Sequence, residues 1–149
     1  MRILPLSPEH YSEALNLWEL SVQVTHHFLP DGWVEEHRSL VVDKYFPMVQ
    51  MHGIFDDHDQ LLGFSGVLSA NVEMLFVHPD YLGQGIGRRL LNHAIDELKA
   101  YKVDVNEQNT EALTFYLSQG FQVISRSELD AQGNPFPLLH LARNESISA

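Results

Sequence analysis

Three glycines alternate with side chains at Gly83, Gly85 and Gly87, between the apolar run VEMLFV (72–77) and the helical run RRLLNHAIDELKAY. This stretch constrains the fold more than any other. Glycine lets the backbone turn where a Cβ forbids it, and lets N–H groups approach a ligand closely. A helix that opens from such a turn adds unpaired donors and the positive end of its dipole, so the combination is an anion cradle. Arg88 and Arg89 follow at once. Cations in the first turn of a helix oppose its dipole by about 0.3–1 kcal/mol each when exposed. A bound polyanion reverses that sign. The spacing, G-x-G-x-G, lacks the Lys-Ser/Thr of a P-loop, and it follows a run of strands rather than opening a dinucleotide-binding unit. A flexible turn with two solvated arginines also satisfies the loop taken alone.

The 149 residues suffice for a single domain, 1–149. Residues 2–5 read as a short strand. Ser7-Pro8 starts a helix that carries Tyr11, Leu15, Trp18 and Val22 at helical spacing. THHFLPDG interrupts it, and a second helix runs from about Trp33 to Tyr45, ending before Pro47. Strands at 49–55, 60–68 and 72–77 are joined by tight turns, which implies an antiparallel meander. The helix after the glycines leads to a strand at 103–105, a parallel crossover. A helix from about Thr110 to Gln119 stops at Gly120, and strands at 121–126 and 137–142 form a hairpin. The class is α/β, with one mixed sheet and helices against it.

A formal net charge of -11 opposes a nucleic-acid partner and weakly favours a cationic substrate. No apolar run approaches the roughly 20 residues of a membrane helix, and the N-terminus does not read as a signal peptide. A cytoplasmic protein with no membrane partner is expected. The absence of cysteine excludes disulfides, thiolate zinc sites and a covalent cysteine intermediate. Nine histidines are present, but there is no H-E-x-x-H, and the neighbours His26 and His27 are badly placed to share a metal. No metal is expected.

From Glu73 to Leu91 the sequence resembles the GCN5-related N-acetyltransferase (GNAT) superfamily, whose acetyl-CoA motif reads Arg/Gln-x-x-Gly-x-Gly/Ala. Gly85 and Gly87 match its small positions; Leu82 replaces the usual Arg or Gln. Downstream, VNEQNTEALTFYLSQGF resembles the family's Asn-x-x-Ala-x-x-Phe-Tyr-x-x-x-Gly-Phe signature, at Asn109, Ala112, Phe115, Tyr116, Gly120 and Phe121. The resemblance covers the whole chain in order of elements. GNPFPLLHLAR and THHFL are similar to a small bacterial subgroup of the family.

The resemblance implies a GNAT fold: a mostly antiparallel sheet with one splayed parallel strand pair, flanked by about four helices. It also implies acetyl transfer from acetyl-CoA to a primary amine of a small molecule, peptide or protein, by direct attack in a ternary complex. The backbone from Gly83 through Gln84, Gly85, Ile86 and Gly87 to Arg88 would hold the pyrophosphate. Leu75 and Val77 would offer backbone groups to the pantetheine arm, with Asn109 reaching it from across the split. Tyr116 would protonate the departing thiolate, whose pKa is roughly 8.5. Glu73, a carboxylate in an apolar strand, is the first candidate for base, with His78 and His140 as weaker ones. Trp18, Val22, His26, Phe28 and Leu29, with Trp33 and Phe136, would line the acceptor pocket. The chain would act as a monomer or homodimer. Two alternatives stay open: a CoA-binding sensor or partner module without catalysis, and a nucleotide-binding regulator.

Overall fold

The computed structural model describes residues 1–26 and 28–143. His27 therefore lies outside the described residues. Hairpin turns set the sheet. Asp56 Oδ1 accepts hydrogen bonds from the His58 and Gln60 N–H groups at 2.8 and 2.9 Å, folding β2 (Gln50–Phe55) back as β3 (Leu61–Leu68). Ser69 and Ala70, at φ 50° and 66°, then turn β3 into β4 (Asn71–Val77). Two central residues at positive φ give the twist that a two-residue hairpin needs.

With β1 (Arg2–Pro5), β5 (Lys102–Asn106), β6 (Phe121–Ser127) and β7 (Leu138–Arg143), the sheet has seven strands in the order β1-β2-β3-β4-β5-β7-β6. Only β4 and β5 pair in parallel. The expected meander, crossover and final hairpin are all present. The last strand, however, sits between β5 and β6, because β7 carries the more apolar pattern and takes the position with neighbours on both sides.

Helices cover the two faces. A Cβ at Gly63 would meet Leu90 and Ile86, so that face of β3 carries α4 (Ile86–Leu98). The next residue, Phe64, points the other way and packs with Ala14, Leu17 and Trp18 of α1 (Tyr11–Thr25). The last helix, α5 (Thr110–Ser118), lies against β5 and β6 on the α4 side, where Tyr116 joins Leu91 and Val103 in one core. Between α1 and β2, the helical run that opens with α2 (Trp33–Leu40) does not stop before Pro47 as expected. A π-helical turn, Val41–Tyr45, continues it into the single-turn α3 (Phe46–Met48). Pro47 falls in the first turn of α3, where no intrahelical N–H is required of it. Four longer helices thus flank the sheet. No helix among the described residues is long and apolar enough to cross a membrane.

Candidate active site

The parallel pair is short. β4 and β5 meet only at Asn71–Lys102 and Val72–Val103. Beyond, β4 stays with β3 and β5 stays with β7, so the two strands diverge. The cause on β4 is local. Gly66 pairs with Met74 and Val67 with Val72, which leaves Glu73 as an extra, bulged residue. The bulge resets which face each side chain takes. Val72 and Leu75 both pack on the α4 and α5 side, whereas Met74 and Phe76 pack toward α1.

Past the bulge, the His78 N–H donates to Leu62 O on β3 at 2.8 Å. A strand repeats every two residues, so Phe76 and Met74 also direct their backbone groups to β3. Leu75 and Val77 therefore turn theirs into the gap left by β5. That gap is a cleft of 530 Å³, walled by β4, by Leu82, Gly83 and Gly85 to Arg88 of the glycine loop, by Asn109, Ala112, Phe115 and Tyr116, and by Ser21 and Thr25 of α1 with its C-cap His26.

The glycine loop forms one end. Gly83 and Gly85 have φ of +78° and +79°, and a Cβ at either would meet nothing within 4 Å. Their role is conformational. Gly85 is the N-cap of α4, which begins two residues before the expected Arg88. The Arg89 N–H closes onto Gly85 O at 3.0 Å. The N–H groups of Ile86, Gly87 and Arg88 precede that bond and lack carbonyl partners in the helix. Gly87 has ordinary helical φ, and a Cβ there would lie 3.6 Å from Val77 Cγ2 and 3.7 Å from Phe115 Cζ. Its missing side chain keeps open the passage between β4 and α5. A diphosphate fits this cradle of bare backbone donors. Arg88 lines the cleft; Gln84 is exposed and does not. Leu82, at the family's Arg or Gln position, lines the cleft as an exposed apolar side chain.

From α5, Asn109 serves as N-cap, its Oδ1 accepting from the Ala112 N–H at 3.2 Å. Tyr116 is buried, edge-on to Phe115 and Phe121, with ring centroids 5.2 and 5.7 Å away. Burial pushes its phenol well above the usual tyrosine range, so it holds its proton at neutral pH.

Other expected residues are dispersed. Trp18 and Val22 are core, packed with Phe46 and Phe64, and neither lines the cleft. Leu29 packs against the same core. Apolar helical spacing alone does not distinguish core from pocket. His26 does line the cleft, and Phe28 bridges it to Phe136, with ring centroids 5.3 and 5.7 Å apart. Phe136, on the β6–β7 connection, thus packs beside this corner, although neither it nor Phe28 lines the cleft. His78 is a turn residue whose Nδ1 accepts from the Asp80 N–H at 3.1 Å.

Glu73 lies apart from Tyr116. It lines a second cavity of 380 Å³ with Asn71, Lys102, Asp104 and His140, across the sheet from α4 and α5. Desolvation raises its carboxyl pKa; a hydrogen bond from Asn71 lowers it, Asp104 raises it and Lys102 lowers it. Asp104 escaped the sequence reading, although the alternation VDV marks it as turned away from the core. Among the described residues, no group of three or more histidines and carboxylates is arranged to hold a metal.

The family model for the acetyltransferase (GNAT) domain matches residues 32–137. The chain is 38% identical to the peptidyl-lysine N-acetyltransferase YjaB of Salmonella typhimurium over 133 residues, 89% of this chain and 91% of that one. The fold matches the solution structure of apo YjaB from Escherichia coli with a TM-score of 0.86 and 36% identity, over 95% of each chain. It also matches the PaiA N-acetyltransferase of Thermoplasma acidophilum, solved in complex with coenzyme A. That TM-score is 0.73, at 20% identity, over 97% of this chain and 100% of that one. The splayed strands, the glycine-capped helix, the domain match over residues 32–137 and the identity to YjaB over 89% of the chain identify this protein as a member of the GNAT family, an N-acetyltransferase that moves the acetyl group of acetyl-CoA to an amine.

Proposed function

We propose that the acceptor is the ε-amino group of a lysine in a peptide or protein, and that the split between β4 and β5 is where donor and acceptor meet. One observation carries this reading: the free backbone edge of Leu75 and Val77, the glycine loop and Tyr116 share one cleft. Acetyl-CoA supplies the thioester. The N–H groups of Gly83 to Arg88 hold its diphosphate, with the Arg88 guanidinium adding charge. Leu75 and Val77 align the arm as an additional strand would, and Asn109 meets it from α5. Tyr116, kept protonated by burial, gives its proton to the sulfur. Glu73 takes the proton of the ammonium group; its raised pKa makes it a better base than an ordinary carboxylate. His26 and Phe28 border the acceptor's path.

The YjaB relatives are peptidyl-lysine N-acetyltransferases, which supports lysine as acceptor. A net charge of -11 supports a cationic acceptor and opposes nucleic acid. Dependence on acetyl-CoA supports a cytoplasmic enzyme, acting as a monomer or homodimer without a membrane partner. Titration calorimetry with acetyl-CoA, CoA and ATP, on wild type and Gly85→Glu, tests the donor half. Selective CoA binding that the glutamate abolishes is expected. Equal binding by the mutant would remove the glycine loop from the site. Mass spectrometry of lysine peptides incubated with enzyme and acetyl-CoA tests the acceptor half.

A further inference from the structure

On the sheet face that α4 and α5 leave uncovered, three side chains form one hydrogen-bonded line. Asp104 on β5 stands opposite His140 on β7. Asp104 Oδ1 lies 2.6 Å from His140 Nδ1, and His140 Nε2 lies 2.6 Å from Ser127 Oγ at the end of β6. Nδ1–H donates to the carboxylate, and Nε2 shares a hydrogen bond with the Ser127 hydroxyl. Both ring nitrogens are used, which fixes the ring plane.

The position of this line gives it meaning. Val72–Val103 is the last pair across β4 and β5. Glu73 and Asp104 are the next residue on each strand, so two carboxylates flank the point where the sheet splits. Both line the second cavity, with Lys102. The cavity thus sets two carboxylates against one lysine ammonium. A surface ion pair alone contributes little stability. A carboxylate fixed in orientation at such a point is instead prepared to bind charge.

We propose that His140 and Ser127 are positioning residues that hold Asp104 in the cavity at the strand split, where Asp104 and Glu73 bind the ammonium group of the acceptor. This rests on the acetyltransferase reading and selects cationic primary amines. The ammonium donates hydrogen bonds to Asp104 and passes one proton to Glu73. The freed lone pair forms the C–N bond as the C–S bond breaks, and Tyr116 protonates the sulfur. The nitrogen loses a second proton, which restores Tyr116 through water, and the first leaves Glu73 for solvent.

The test is steady-state acetylation of a blocked lysine peptide by wild type, Asp104→Asn, His140→Ala, His140→Asn and Ser127→Ala, with acetyl-CoA affinity measured for each by calorimetry. A charge-assisted hydrogen bond is the contact at stake, so Asp104→Asn and His140→Ala should raise peptide KM about tenfold or more. Acetyl-CoA affinity should stay within about twofold, since Asp104, His140 and Ser127 do not line the cofactor cleft. His140→Asn retains an N–H for Asp104 and should recover KM to within about threefold, with Ser127→Ala intermediate. If wild type does not turn the peptide over, n-butylammonium is titrated while the His140 ring is observed by NMR; a ring shift that Asp104→Asn removes supports the proposal, and no shift overturns it. Unchanged KM in His140→Ala, or equal damage in His140→Asn, overturns it with acetyl-CoA binding intact. Absence of acetyl-CoA binding in wild type is a different result, and overturns the acetyltransferase reading beneath it.

Discussion

Val72 faces Val103, and no pair follows them along β4 and β5. The proposed site is arranged around that ending. On one side of the sheet the free edge of Leu75 and Val77 runs toward the capped end of α4, and on the other Glu73 and Asp104 share a cavity. The bulge at Glu73 links the two. It turns Leu75 and Val77 to the α4 side while its own carboxylate faces away from it.

The glycines of the loop should respond differently to alanine. Gly85 is at φ +79° with open space around it, so Gly85→Ala has strain but no clash and should cost about 1 kcal/mol of stability. Gly87 has ordinary helical φ. Gly87→Ala should gain about 0.5–1 kcal/mol from helix propensity, yet weaken acetyl-CoA binding by narrowing the passage beside Val77 and Phe115. Urea melts and calorimetry on the two variants check the contrast. A parallel loss of stability and affinity at Gly87 would refute it.

Tyr116→Phe keeps the edge-on ring contacts to Phe115 and Phe121 and removes only the hydroxyl, the proposed proton donor. The expected result is a fall in kcat of about 10²–10⁴-fold, the range of general acid catalysis, with acetyl-CoA affinity unchanged. The phenol also bears on alkaline stability. Its folded pKa is raised, so its contribution is complete below the unfolded value of about 10 and is lost as pH climbs past it. Wild type should therefore lose more stability than Tyr116→Phe above that pH, as denaturant midpoints will report.

Much of this was legible in the residues. Alternation and turns gave every strand to within about two residues, and GQGIG and NTEALTFY both fall on the walls of one cleft, because backbone cradles and helix caps have local signatures. The acceptor side was not legible in the same way. Trp18 and Val22 share helical spacing with real pocket residues, and only their burial against Phe46 and Phe64 separates them. Asp104, His140 and Ser127 come together through the insertion of β7 between β5 and β6, a tertiary event with no short-range sequence mark.

If Glu73 is the base, its protonation state should shape the acid limb of kcat/KM. Desolvation raises its pKa, so activity should fall as pH drops through a value above the ordinary carboxylate range. Glu73→Gln should lower kcat and erase that limb. A pH profile that keeps its acid limb in the mutant would assign the proton to another group.

The last test lies outside the site. His52 on β2 and His93 on α4 face each other with ring centroids 4.6 Å apart, and Ser65 is the cross-strand partner of His52. Both Nδ1 atoms and Ser65 Oγ are buried without a hydrogen-bond partner. Desolvation first, and His93 second, lower the pKa of His52. A histidine whose folded pKa is depressed contributes stability above its unfolded value of about 6.5, and that stability is lost as pH falls through the folded value. Wild type should therefore be more stable to urea at neutral pH than below pH ~6. His52→Leu removes the titrating ring and the unpaired Nδ1 while filling similar space. It should flatten this slope and keep the protein folded in mild acid. An unchanged slope in His52→Leu would move the acid sensitivity to other groups and leave the buried pair electrostatically silent.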